Sequence, residues 1–364
     1  MPHLHPWRAG RALTDRSPDT SFWSGWSWRL RTNARLGALA WVLATASVAP
    51  QHAAAAEPLL LRVGALRLAS AGPLFVAQHE RYFEDEGLSV QIRYFDAAQP
   101  IALAVTAGDV DLGVTAMTAG FFNIAGKGTL KVIAGQAAIV KGRPGDVLMA
   151  SNNAYERGMR RAADLPGRSI AITQTGSSFH YELGLFADAE RFDIQRITLR
   201  PLQSMSNMVA ALKTGQVDGA IVSPQAAAEL TANHEAKAIA QVADAGNYRF
   251  GALFASARVL QEQRASVARF VKAYRRGAAL YNDAFFGSGA RRKEVALMIG
   301  QHILPSEPAS DRVADLVGKG AYYVEAGAPL DPDDVQRQVN WYRARGFIDD
   351  AVAAGQIMDL SFSR

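Results

Sequence analysis

The chain has no cysteine in 364 residues. That excludes disulfides, a thiolate nucleophile, cysteine-ligated metals and a lipid-modified N-terminal cysteine. Tryptophan is scarce beyond the leader: Trp7, Trp23, Trp26, Trp28 and Trp41 fall within residues 1–56, leaving only Trp341 in the body. Acidic residues are nearly missing from the same stretch, where Asp15 and Asp19 accompany six Arg and no Lys. Taking these away from 39 basic and 34 acidic residues leaves 33 and 32, so the formal net charge of +5 belongs mostly to the N-terminus. A near-neutral body offers no electrostatic footprint for nucleic acid.

Long apolar runs are also lacking, with one exception. Leu36–Ala49, 14 residues, follows Arg29, Arg31 and Arg35 and precedes Ala53–Ala56. These are the n-region, h-region and A-x-A-type cleavage site of an export signal. The run is short for a membrane span. Residues 1–56 are therefore expected to be a signal segment, with a mature periplasmic protein starting near Ala56 or Glu57.

The familiar chemical motifs are absent. There is no G-x-x-x-x-G-K-[ST], no G-x-G-x-x-G and no G-x-S-x-G. His79-Glu80 and His234-Glu235 lack a second His at zincin spacing, and His79, His180, His234 and His302 are scattered without metal-ligand spacing. No cofactor, metal or catalytic residue is expected. The Arg clusters at 157–161 and 291–293 lack interleaved aromatics and read as solvated helix faces.

What is present is a repeat. AVTAGDVDLGVTAM (104–117) and ALKTGQVDGAIVSP (211–224) share Gly108/Gly215, Val110/Val217 and Asp111/Asp218 at an offset of 107. Each copy runs from an apolar helical tail through Gly into a short strand that stops at small polar residues. Glycine suits the left-handed position after a helix. The end of such a strand is where open α/β sheets bind ligands. Two copies predict two lobes facing one cleft.

The remaining pattern agrees with alternating strands and helices. Strands are predicted at 59–64, 88–95, 110–114 and 130–134, and in a second unit at 169–173, 196–202, 217–222 and near 242–244. The final third is helical: Val267, Phe270, Val271, Tyr274, Ala278 and Tyr281 follow the spacing of one buried helix face, and Asp331-Pro332 caps another. The expected organisation is 57–150 in lobe 1, 151–245 in lobe 2, and 246–364 returning to lobe 1, with crossings near 148–152 and 244–250. Gly176-Ser177-Ser178 follows a strand and opens a helix. It is either an anion site formed by N–H groups and hydroxyls or ordinary N-capping by serine.

Together the export leader, RVGALRLASAGPLFVAQHERYFEDEGL (62–88), AGDVDLGVTAMTA (107–119), TGSSFHYELG (175–184), ALKTGQVDGAIVSP (211–224) and WYRARGFID (341–349) resemble a known family. It is the NMT1/THI5-like substrate-binding proteins of ABC importers for sulfonates, taurine, nitrate and thiamine-pyrimidine precursors. The resemblance covers nearly all of 60–350. It implies a type II periplasmic binding fold: two Rossmann-like lobes, a central cleft and a two-strand hinge. It implies ligand contacts from Ala69 and Ser70, Asp96, Thr115, Met117 and Thr118, Gly176 to His180 (Ser177, Ser178 and Phe179 between them), Ser204, Ser206 and Ser223. Phe121 is expected beside Thr115 and Thr118. The chain departs from the family in its aromatic loops (Phe121, Phe122, Phe179, Tyr181) and in having no Trp to cover a pyrimidine. Absence of the cysteine-rich motif of the fungal pyrimidine synthases argues against that branch.

The expected function is delivery of a small organic anion, a sulfonate or carboxylate, aromatic ones included, to an ABC permease and its ATPase by hinge closure. No nucleic-acid partner is expected, and membrane contact runs only through the permease. The alternatives are a neutral or cationic heteroaromatic ligand, a lyase or isomerase on the same bilobal fold, or a ligand-sensing module for a membrane receptor.

Overall fold

The computed structural model describes residues 58–363; the expected leader and its cleavage site lie outside them. Twelve strands follow in order: β1 Leu59–Leu66, β2 Leu88–Phe95, β3 Leu112–Ala116, β4 Leu130–Gly135, β5 Ala138–Ile139, β6 Val147–Ser151, β7 Ser169–Ile172, β8 Thr198–Pro201, β9 Gly219–Val222, β10 Ala236–Gln241, β11 Tyr248–Arg249 and β12 Gly251–Ser256. They form two five-stranded sheets, ordered β2-β1-β3-β12-β4 and β10-β6-β9-β7-β8. In each sheet four of the five strands run the same way, and one, β12 or β6, runs antiparallel between its neighbours. The two sheets thus have the same topology. The antiparallel pair β5–β11 forms its own two-stranded ribbon where the chain passes between lobes.

The repeat explains part of this equivalence. Helix Ala98–Ala107 ends at Gly108 with φ +83°, and helix Met205–Lys213 ends just before Gly215 with φ +70°. After each glycine the next two N–H groups return to one carbonyl, Ala104 in the first lobe and Ala211 in the second. Asp111 then accepts from the backbone N–H of Arg62 at 2.8 Å, and Asp218 from that of Ser169 at 2.8 Å. Both aspartates lie 49 residues after their partner. Each carboxylate pins the start of β3 or β9 to its parallel neighbour, β1 or β7.

Two expectations are corrected. The first crossing lies at β5, ahead of the boundary expected at 150, because Val147–Ser151 is already a strand of the second sheet. Its five residues form a short, fully buried run with no alternation. Such a run carries no strand period. The last strand of the second lobe is Ala236–Gln241, and Val242–Ala245 is a helical turn.

The C-terminal helices divide between the lobes. Helix Arg264–Phe286 packs on helix Gly72–His79 so closely that a Cβ on Gly277 would lie 2.2 Å from the Pro73 carbonyl oxygen. Helix Pro332–Ala344 packs instead on helix Ser178–Glu190, where Trp341 fills the space left by Gly184. Its Tyr342 hydroxyl donates to the Ser177 carbonyl at 3.0 Å. The segment 246–364 therefore does not return wholly to lobe 1.

Candidate functional site

Parallel strands ending at one edge place the starts of the following helices there. Between the lobes lies a cavity of about 580 Å³. Four of its lining hydroxyls cap helices that begin at it. Thr118 accepts from the Phe121 N–H, Ser177 from His180, Ser204 from Asn207 and Ser223 from Ala226. Helix Ala98–Ala107 also starts at the wall, with Ala97, Ala98 and Gln99 facing in. Each helix start leaves backbone N–H groups without an intrahelical partner and carries the positive end of the helix dipole.

Of the expected ligand residues, Ser70, Asp96, Thr115, Thr118, Ser177, Ser178, Phe179, Ser204, Ser206 and Ser223 line this cavity. Ala69, Met117, Phe121, Gly176 and His180 do not. Ala69 and Met117 are buried in the first lobe. Phe121 is a core residue whose ring sits 4.8 Å from that of Phe254. Gly176, with φ +77°, is a contact between lobes: its carbonyl accepts from the Ala119 N–H at 2.8 Å. A Cβ there would stand 2.7 Å from the Ala119 Cβ. His180 faces inward. Its Nδ1 accepts from the Gly176 N–H at 3.1 Å, so its proton sits on Nε2, and its ring packs edge-on to Trp341 and Phe347. Burial, aided by the nearby Arg345 charge, lowers its pKa to about 4.

The two serines therefore separate by role. Ser177 is the cap, while Ser178 is the first helical residue and borders the cavity. Across the cavity the Thr115 hydroxyl is buried without a hydrogen-bond partner. An unpaired buried hydroxyl is costly, which is rational where a ligand completes it.

Sequence reading missed several wall residues. The Arg67 guanidinium carbon sits over the Tyr94 ring, 3.7 Å from its centre, and Arg67 donates to the His302 carbonyl at 2.6 Å. The Tyr94 hydroxyl is 2.7 Å from His302 Nδ1. Burial lowers the His302 pKa to about 4, with the His79 and Arg67 charges adding to it. Arg67 lies within the quoted 62–88 motif and Gln174 directly precedes the 175–184 motif, so both were within reach of the sequence. Asp146, Phe250 and Tyr322 also line the cavity, but no motif marks them.

The fold is the bilobal fold of the periplasmic binding proteins. The alkanesulfonate-binding protein SsuA from Xanthomonas axonopodis pv. citri, bound to MOPS, superposes with a TM-score of 0.65 at 21% identity, covering 84% of this chain and 99% of that one. SsuA from Escherichia coli gives 0.64 at 17% identity, over 84% and 99%. The periplasmic nitrate-binding protein NrtA from Synechocystis PCC 6803 gives 0.67 at 12% identity, over 84% and 87%. No curated protein matches by sequence. The NMT1/THI5 like family model matches residues 69–283, and the chain belongs to that family.

Proposed function

We propose that this protein is the periplasmic solute-binding component of an ABC importer and takes a small organic anion, a sulfonate or carboxylate. The observation that carries this is the convergence of hydroxyl-capped helix starts from both lobes on one cavity, with the unpartnered Thr115 hydroxyl opposite. Helix N-termini favour anions. The anionic head is held at Ser177 and Ser178, and the other end faces Thr115, Thr118 and Phe179. A ligand touching both lobes stabilises the closed arrangement by its differential affinity for it. Arg67 supplies a cation at the wall that has no carboxylate partner among the described residues.

Asp96 and Asp146 line the same cavity beside Phe95 and Phe179, which favours a second reading, a neutral or cationic heteroaromatic ligand. Thermal melts with MOPS, short alkanesulfonates, aromatic carboxylates and aminopyrimidines decide between them. A member of the anion set at a hundredfold excess over its Kd should add about 2.7 kcal/mol of stability. Stabilisation by the aminopyrimidines alone would overturn the anion reading, and turnover followed by NMR would establish an enzyme.

A further inference from the structure

At the cavity wall, where the chain passes between lobes, two carboxyl groups are buried together. Asp146 precedes β6 and is 2% exposed; Glu182 lies on helix Ser178–Glu190 and is 0% exposed. The Tyr322 hydroxyl donates to Asp146 Oδ1 at 2.5 Å, and the Tyr248 hydroxyl donates to Glu182 Oε1. Tyr248 belongs to the crossing strand β11. Tyr322 is held to the first lobe, its carbonyl accepting from the Tyr281 hydroxyl on helix Arg264–Phe286 at 3.0 Å. The groups facing the pair are Tyr322, Tyr248 and, from helix Pro332–Ala344, Tyr342. No Arg, Lys or His among the described residues pairs with either carboxyl.

Two adjacent buried carboxylates without a cation cannot both be ionised. Glu182 Oε2 is buried and has no partner unless it carries a proton, in which case it donates to the neighbouring Asp146 carboxyl. Every polar atom of the cluster is then satisfied in one chain: Tyr248 O–H to Glu182 Oε1, Glu182 Oε2–H to Asp146, and Tyr322 O–H to Asp146 Oδ1.

We propose that Asp146 and Glu182 share one proton at the hinge, and that this proton completes a Tyr248–Glu182–Asp146–Tyr322 chain that latches the two lobes. The energetics agree in direction. Burial, then the Asp146 charge, raises Glu182 well above the usual carboxylate range, while burial raises Asp146 to about 6. Near neutral pH Glu182 keeps the proton and Asp146 accepts both hydrogen bonds. Raising the pH removes the proton, sets two negative charges side by side and drives Asp146, in the second lobe, away from Tyr322 in the first.

Infrared spectroscopy of the mature protein near pH 7 tests the shared proton. A protonated-carboxyl C=O stretch should be present and should be lost in Glu182→Gln. In Asp146→Asn it should persist but shift in frequency, because burial, the larger cause, keeps Glu182 protonated while its acceptor changes from a carboxylate to an amide oxygen. Small-angle scattering tests the latch. The wild-type radius of gyration should grow as pH rises above neutral, Glu182→Gln should stay flat, and Tyr322→Phe should be expanded already at neutral pH. A missing stretch in the wild type, a stretch surviving in Glu182→Gln, an unshifted stretch in Asp146→Asn, or a pH-independent wild-type radius overturns the proposal.

Discussion

Ser178 and its neighbour show how a single hydroxyl acquires a role from its position in a helix. Ser177 accepts from His180 N–H and closes the helix start, which leaves Ser178 free to face the cavity. Ser178→Ala should weaken binding of the anion found in the melt panel by roughly 1–2 kcal/mol, measured by calorimetry. Ser178→Asp should abolish it by repulsion while the fold persists, since an acidic residue is tolerated in the first helical turn. Equal or tighter binding by Ser178→Asp would exclude an anionic ligand. Thr115→Val makes the complementary test: with no partner to lose in the free protein, stability should stay within about 1 kcal/mol, while affinity falls. Histidine behaviour follows from burial. His180 and His302 are both lowered to about 4. In the unfolded chain they titrate near ~6.5, so the stability they contribute is present above that pH and is lost as pH falls toward about 4. NMR titration should show both imidazoles neutral near ~5.5, with His180 as the Nε2–H tautomer. Asp146 has the opposite sign, because a raised carboxyl contributes stability that is lost as pH rises through about 6.

At the scale of elements, the repeated glycine and aspartate are the parts of the sequence whose structural duties are clearest. Gly108 and Gly215 end helices in the left-handed region, and Asp111 and Asp218 tie strand to strand in matching ways. Asp218 also accepts from the Ser169 hydroxyl at 2.8 Å and pairs with Arg157 at 2.7 Å. Burial works against its ionisation, yet the Ser169 and Arg157 hydrogen bonds bring it below the usual carboxylate range. Asp218→Ala leaves the Ser169 N–H without its charged acceptor and should cost about 1.5–3 kcal/mol in denaturant unfolding. The mutation should leave ligand specificity unchanged, since Asp218 is not among the cavity residues. Helices with an apolar stripe or a Pro after an acidic cap were equally legible, and Arg264–Phe286 and Pro332–Ala344 occupy the stretches their patterns mark. Two short buried strands outside the repeat were not. Val147–Ser151 and Gly251–Ser256 are buried at every position, and their neighbours, not their own periodicity, make them strands.

For the whole molecule, the two crossings at β5 and β11 set the only hydrogen-bonded ribbon between sheets among the described residues. Lobe contact also occurs at the far side, where Ala119 meets Gly176. Gly176→Ala adds a methyl group against Ala119 at a φ of +77° and should hold the lobes apart there. Small-angle scattering should then show a smaller ligand-induced contraction than in the wild type. Mass spectrometry of exported protein should find a start between about Ala54 and Pro58, as the leader reading requires.

The alternation of strands and helices, the two-lobe plan and the serine- and threonine-rich cavity wall were determined by sequence alone, because glycine at helix ends, capping hydroxyls and apolar periodicity are local requirements. Tertiary structure decided which of those residues face the cavity. Phe121 and His180 sit within one turn of cavity residues, yet they point into the core because a helix sends successive side chains in different directions. It also decided the meeting of Asp146, Glu182, Tyr248 and Tyr322. These four are spread over 176 residues of chain, and each alone looks like an ordinary polar residue. Their protonation depends on a burial that exists only once both lobes and the crossing strands have packed together.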